Sequence, residues 1–293
     1  MTGLWNLVFV GLWIDTNQDI MIRNILRKLV TPLLSDGVNP FHDYPFGREP
    51  RANREAYLTI WERAKREPYP VIDEYEKKLR FHIEDEWFHA LALHTQVVIK
   101  ESEICYQHGR LLYTTLSDYV HQNGFSHVNI LETGTARGFS SLCMAKALRD
   151  RNVEGKIATI DPLPHYVSMY WNCIDDLDGV KTRRELISNY SDLTSGYIVF
   201  LEGTSKDLLE RLELSRIHFA FLDGSHTYED VAYEYSYILP RQKKGDIIFF
   251  DDHQPELFPG IVKAVQELEA TNNYGITTIE ANSQRGYAIA EKL

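Results

Sequence analysis

The stretch from Asn129 to Ser141, Asn-Ile-Leu-Glu-Thr-Gly-Thr-Ala-Arg-Gly-Phe-Ser-Ser, constrains this chain more than any other. Val128, Ile130 and Leu131 supply a short apolar run that reads as a buried strand. Gly134 lets the backbone turn sharply, and Gly138 lets a helix start close to that strand. Leu142, Ala145 and Leu148 then mark an apolar helix face. Glu132 falls at the carboxyl end of the strand, where open α/β sheets bind ligands. The spacing Gly-x-x-x-Gly lacks the middle glycine of a dinucleotide fingerprint. An acid at that strand end would repel a pyrophosphate and could pair with an ammonium.

Around this stretch, strands and helices alternate. Strands are expected at Val128–Thr133, Lys156–Asp161, Tyr197–Glu202, Ile217–Asp223 and Asp246–Asp252, and helices at Gly138–Arg149, Lys206–Leu214, Tyr228–Leu239 and Gly260–Ala270. A further helix is expected from His108 to about His121, broken by Asn123-Gly124, and another at Thr182–Tyr190 inside the long link 162–196. Near-continuous apolar strands between helices imply a parallel sheet covered on both faces. The runs Gly275–Glu280 and Tyr287–Glu291, joined through Gln284-Arg285-Gly286, read as a closing hairpin.

Residues 1–125 show no such rhythm. Ile22, Ile25, Leu26, Leu29, Val30, Leu33 and Leu34 make an amphipathic pattern that stops near Ser35-Asp36-Gly37, with Pro32 ending its last turn. Turn residues Pro40, Pro45, Gly47 and Pro50 follow, then helical segments at about Asn53–Arg66 and Glu84–Tyr106. The expected organisation is a helical cap or lid over 1–104 and an α/β domain over 105–293. Glu86 and His89 form a single Glu-x-x-His pair, and a di-iron bundle needs two, so they read as a solvated helix face.

A formal charge of −11 and a pI near 5.5 argue against a nucleic-acid surface. Cys105, Cys143 and Cys173 have no Cys-x-x-Cys spacing and are odd in number, which points to a reduced, cytoplasmic setting. The apolar stretch Leu4–Ile14 is too short to span a membrane.

The strand ends carry the chemistry. Four of the five parallel strands end in or beside an acid: Glu132, Asp161, Glu202 and Asp223; the fifth ends in Asp251-Asp252. Carboxylates gathered on one rim repel one another unless cations or hydroxyls meet them. Asp161 is placed to accept ribose hydroxyls. Asp223-Gly224-Ser225-His226 is followed, 28 residues after Asp223, by Asp251. Asp223, Asp251 and Asp252 on neighbouring strands suit a hard divalent cation such as Mg²⁺, Mn²⁺ or Ca²⁺. His226 falls in a turn over the same rim, and an imidazole titrates where a general base must work near neutral pH.

These residues resemble the class I S-adenosylmethionine (SAM)-dependent methyltransferases, whose first motif is a strand, an acid and a glycine turn. Over roughly 105–293 the resemblance narrows to the metal-dependent small-molecule O-methyltransferases, in which an acid, a base three residues on, and an acidic or Asp-Asn pair at the next strand end bind metal and the substrate hydroxyl. The catechol branch has lysine where this chain has His226, and macrolide-sugar members have histidine. Asp252 stands as in sugar and aminocoumarin-type members, where the plant phenolic branch has asparagine. The resemblance implies a Rossmann-like seven-stranded sheet, parallel with a C-terminal antiparallel hairpin. It implies SAM held by Glu132, Thr133, Gly134, Thr135, Gly138, Ser140, Asp161 and Asp223. Gly203-Thr204-Ser205-Lys206-Asp207 resembles the adenine-side segment of catechol and caffeoyl-CoA O-methyltransferases, which adds Thr204, Ser205 and Lys206. Metal would sit on Asp223, Asp251 and Asp252, with His226 as base. The expected reaction is methyl transfer to a sugar or phenol hydroxyl of a small natural product.

Other functions keep a place beside this one: a metal-independent methyltransferase acting on a carboxylate or amine, a nicotinamide oxidoreductase, and a non-catalytic SAM-binding relative. His253 reads as a turn residue and His218 as a satisfied core histidine. His165, Tyr166, Tyr170 and Trp171 could wall a ligand or cover a sheet edge. The helical appendage is compatible with a homodimer.

Overall fold

In the computed structural model, residues 45–293 are described. The amphipathic run 22–34 and the apolar stretch 4–14 lie outside the described residues. Seven strands form one sheet in the order β3-β2-β1-β4-β5-β7-β6. They are β1 His127–Thr133, β2 Glu154–Asp161, β3 Ile198–Glu202, β4 Phe219–Leu222, β5 Ile247–Phe250, β6 Tyr274–Asn282 and β7 Arg285–Lys292. Strands β1 to β5 run parallel to one another, and β7 runs antiparallel to both β5 and β6. This is the doubly covered parallel sheet with a closing hairpin that the strand pattern implies. Register aligns the strand ends: Thr133 pairs with Leu222, Leu222 with Phe250, and Asp161 with Glu202. The acids that follow these residues therefore share one rim.

Ten helices flank the sheet among the described residues: α1 Arg54–Arg66, α2 Pro70–Leu79, α3 Asp85–Thr95, α4 His108–Asn123, α5 Phe139–Asp150, α6 Arg183–Leu186, α7 Ser191–Tyr197, α8 Ser205–Leu208, α9 Tyr228–Ile238 and α10 Pro259–Ala270. Alternate side chains of each strand enter different cores. Ile130, Ile157, Phe219, Phe221 and Phe249 pack with Leu111, Leu112, Leu116, Leu142 and Phe88, from α3, α4 and α5. Leu131, Ile160, Ala220, Leu222, Ile248 and Phe250 pack with Val231, Ile238, Ile261 and Leu268, from α9 and α10.

Several expected boundaries move. The helix expected over Glu84–Tyr106 ends at Thr95, whose hydroxyl bonds back to the Leu91 carbonyl. Beyond it the backbone of Ile99 bonds to the Asn172 side chain instead of to a helical turn. The segment expected as Lys206–Leu214 is one α-turn, Ser205–Leu208, and a 3₁₀ turn to Arg211. The link helix is Arg183–Leu186, opened by a Thr182–Glu185 capping box and followed by a 3₁₀ turn at Ser188–Tyr190. Helix α2 has no counterpart in the sequence reading, although Pro70 at its first position is a start signal. Asn53 caps α1 by accepting from the Ala56 amide, and Gly124 ends α4 in the left-handed region. No described helix is long and apolar enough to cross a membrane.

Candidate active site

The glycine turn between β1 and α5 packs directly on the end of β4. Gly134 has φ +93°, and a Cβ there would lie 2.1 Å from the Asp223 carbonyl oxygen. Only glycine permits both that dihedral and that approach. Glu132 is fully buried beneath the turn and accepts hydrogen bonds from the hydroxyls of Ser140 and Ser141, the first residues of α5 after Phe139. Burial raises its pKa against the pull of those hydroxyls. Glu132 and Ser140 thus brace the turn against the helix. Thr135 bonds the Thr159 hydroxyl of β2, and Gly138, at φ +94°, faces Ile187 of the link.

Asp161, at the end of β2, is nearly buried. Its Oδ2 accepts from the Ala136 amide at 2.7 Å and its Oδ1 from the Leu163 amide at 2.6 Å. Arg183 reaches over it from α6: Nη2 lies 3.6 Å from Oδ1, and Nε donates to the Ala136 carbonyl at 2.8 Å. Burial pushes the Asp161 pKa up while Arg183 opposes. The aromatics of the link divide between roles. Trp171 is wholly buried and His165 stacks on Phe200, while Tyr166 is exposed.

On the far side of the turn, Thr204 caps α8, accepting from the Asp207 amide. Lys206 pairs with Asp230 of α9. Ser205 bonds Glu234, a buried α9 carboxyl that also accepts from Thr133 Oγ1 at 3.0 Å. Burial raises Glu234 to about 7. Thr133, Ser205 and Lys206 are therefore linked through one helix.

The acid rim lies beside the turn. Asp223 follows β4, and Asp251 and Asp252 follow β5. Asp252 Oδ2 is 2.9 Å from His226 Nε2, and Asp252 Oδ1 accepts from Arg285 Nη1. His226 stacks on Phe258, ring centroids 4.6 Å apart, and is partly exposed. Burial, then Asp251 and Asp252, push the Asp223 pKa well up. Burial and Asp252 push Asp251 up. Burial alone would raise Asp252 too, but the His226 hydrogen bond and Arg285 outweigh it and hold Asp252 low. Asp223, His226 and Asp252 can each offer one ligand atom, all within 4.8 Å of one another. Two carboxylates and an imidazole fit a divalent ion. Asp251 lies outside that ligand group; its Oδ1 accepts from the Asp252 amide, shaping the turn that carries Asp252 at φ +52°.

Arg285 was absent from the sequence reading of the site. Its delivery depends on pairing between chain ends: the His253 amide donates to the Gly286 carbonyl at 2.8 Å, and a Cβ on Gly286 would lie 2.3 Å from the His253 carbonyl oxygen. His253 is thus a turn residue, and its imidazole pKa is lowered by burial. His218 accepts from the Asn129 amide in the core, as expected. His89 is half-buried and bonds the Tyr106 hydroxyl, while Glu86 is exposed. The three cysteines are free and buried. Glu234 was also missed, although an acid between Val231 and Ile238 on an otherwise inward helix face was the available signal.

Residues 131–253 match a family described as a methyltransferase domain. No curated protein matches the chain. Among solved structures, it is similar to the O-methyltransferase NovP at 18% identity and TM-score 0.50, covering 66% of this chain and 83% of that one. It is similar to the O-methyltransferase TomG of Streptomyces achromogenes, involved in tomaymycin synthesis and solved with SAM, at 16% identity and TM-score 0.51, covering 79% and 98%. Cofactor-bound Rv0187 from MTB aligns at 15% identity and TM-score 0.52, covering 78% and 98%. These likenesses establish the class I methyltransferase fold. The matched segment runs from the first strand to the acid pair, so residues 131–253 are similar to a methyltransferase domain and lie on a methyltransferase fold.

Proposed function

We propose that the protein transfers the methyl group of SAM to a hydroxyl of a small molecule, with a divalent ion, Mg²⁺ by preference, at the acid rim. One observation carries this reading: Gly134 of the turn lies against the Asp223 carbonyl, so a donor held at the turn and an acceptor held at the rim would be neighbours.

In this reading the methionine end of SAM lies along Thr133, Gly134, Thr135 and Asp223, above the Glu132–Ser140 brace. Asp161 takes the ribose hydroxyls, and Thr204, Ser205 and Lys206 run along the adenine. Asp223 and Asp252 hold the ion, with Asp251 supporting the turn. The ion would supply Lewis-acid polarisation of the acceptor hydroxyl. His226, oriented by Asp252 and Phe258, takes the hydroxyl proton as the acceptor oxygen bonds to the methyl carbon. The carbon–sulfur bond breaks with its electron pair going to sulfur, leaving S-adenosylhomocysteine. Holding the oxygen in line with that bond supplies much of the rate. Helices α1 to α3 serve as a cap over the acceptor, and a homodimer is compatible with them.

Thermal-shift measurements with SAM, S-adenosylhomocysteine and NAD test the cofactor. Stabilisation by the first two and none by NAD is expected; stabilisation by NAD alone would overturn the reading.

A further inference from the structure

Lys100 lies in the irregular stretch between α3 and α4. Two anchors fix that stretch against the methyltransferase sheet. The Ile99 amide donates to Asn172 Oδ1 at 3.0 Å, and Asn172 Nδ2 donates to the Ile99 carbonyl at 2.9 Å. Further along, Cys105 Sγ contacts the Tyr287 hydroxyl at 3.9 Å, two residues beyond Arg285. Lys100 is thereby held within electrostatic reach of Arg285 and Asp252.

Lys100 is half-buried, and its ammonium has no hydrogen bond or ion pair among the described residues. Every other described lysine bonds a carboxylate or a carbonyl, or stands exposed to water. Burial and the nearby Arg285 depress its pKa, the signature of a cation short of a counter-ion. Asp252 is already engaged by Arg285 and His226, so Lys100 is not its hydrogen-bonded counter-ion. The chain as a whole carries −11, and an anionic ligand would be repelled unless a local cation received it.

We infer that Lys100 recognises the acceptor: it receives a carboxylate on a molecule whose hydroxyl is methylated at the acid rim. The substrate class is thus a hydroxy acid, phenolic or sugar-derived. This rests on the proposed function of the same site. A charge-assisted contact of this kind gives roughly a tenfold to hundredfold preference for the acid.

The test is isothermal titration of the full chain with Mg²⁺ and saturating S-adenosylhomocysteine. The probes are 3,4-dihydroxybenzoate against catechol, and glucuronate against methyl glucoside. At least one acid should bind wild-type protein about tenfold more tightly than its neutral partner. Lys100→Met should erase that preference and Lys100→Arg should keep it, with S-adenosylhomocysteine affinity unchanged in both. No preference in wild-type protein, or the same preference in Lys100→Met, overturns the inference. S-adenosylhomocysteine is titrated first: failure to bind it removes the cofactor reading and this inference together, whereas its binding without carboxylate preference removes this inference alone.

Discussion

Asp252 is held from both sides, by His226 Nε2 at 2.9 Å from Oδ2 and by Arg285 Nη1 on Oδ1. Arg285 helps keep Asp252 ionised and, by holding Oδ1, orients the carboxylate whose Oδ2 meets His226. Arg285→Met should therefore lower kcat/KM about tenfold or more, on the scale of a lost charge-assisted hydrogen bond. Arg285→Lys should recover part of the loss. Steady-state kinetics on both variants checks this, and wild-type kcat/KM in Arg285→Met would contradict it.

His226→Ala should lose turnover by about a hundredfold, within the usual range for removing a general base. SAM affinity should stay close to wild type, because the imidazole contacts Asp252 and Phe258, neither of which belongs to the glycine turn. Single-turnover rates paired with SAM titration separate the two effects. Unchanged turnover would remove His226 from the proton-transfer role.

Gly134→Ala should be severely destabilising. The new Cβ meets backbone at 2.1 Å, and φ of +93° strains any side chain. Overpacking and strain together suggest a loss of at least about 3 kcal/mol. Urea denaturation measures it, and a change below about 1 kcal/mol would show that the β1–β4 rim can relax.

Glu234 makes stability fall as pH rises. Burial lifts its native pKa to about 7, above its ordinary carboxylate value. The native state therefore binds more protons than the unfolded state between those values, and this contribution is full below the unfolded pKa and lost as pH passes through about 7. A tenfold difference in proton affinity between the two states corresponds to about 1.4 kcal/mol. Glu234→Gln should flatten the dependence of Tm on pH between about 4.5 and 7. Parallel Tm curves for wild type and variant would contradict the assignment.

The sheet was legible because its strands alternate between two apolar cores, so uninterrupted apolar runs marked them and the acids marked their ends. Gly134 and Gly138 were legible for the same local reason: the turn they make is encoded in adjacent residues. Short elements were harder. Helix α8 is one turn capped by Thr204, and it turns 3₁₀ where periodicity alone suggested continuation to Leu214. Arg285 lies 33 residues from Asp252 and reaches it only because Gly286 admits the His253 backbone. Arg183 likewise comes to Asp161 from a link whose path no periodic pattern describes. Contacts of that kind depend on tertiary register and leave little local signal.

The most direct test of the account is isothermal titration of SAM and of Mg²⁺ into chelator-stripped protein, wild type and Asp252→Ala. The expected result is SAM binding to both proteins and Mg²⁺ binding to wild type that disappears in Asp252→Ala. SAM binding without any Mg²⁺ binding would contradict the metal-assisted half of the account. No SAM binding to wild-type protein would contradict its centre.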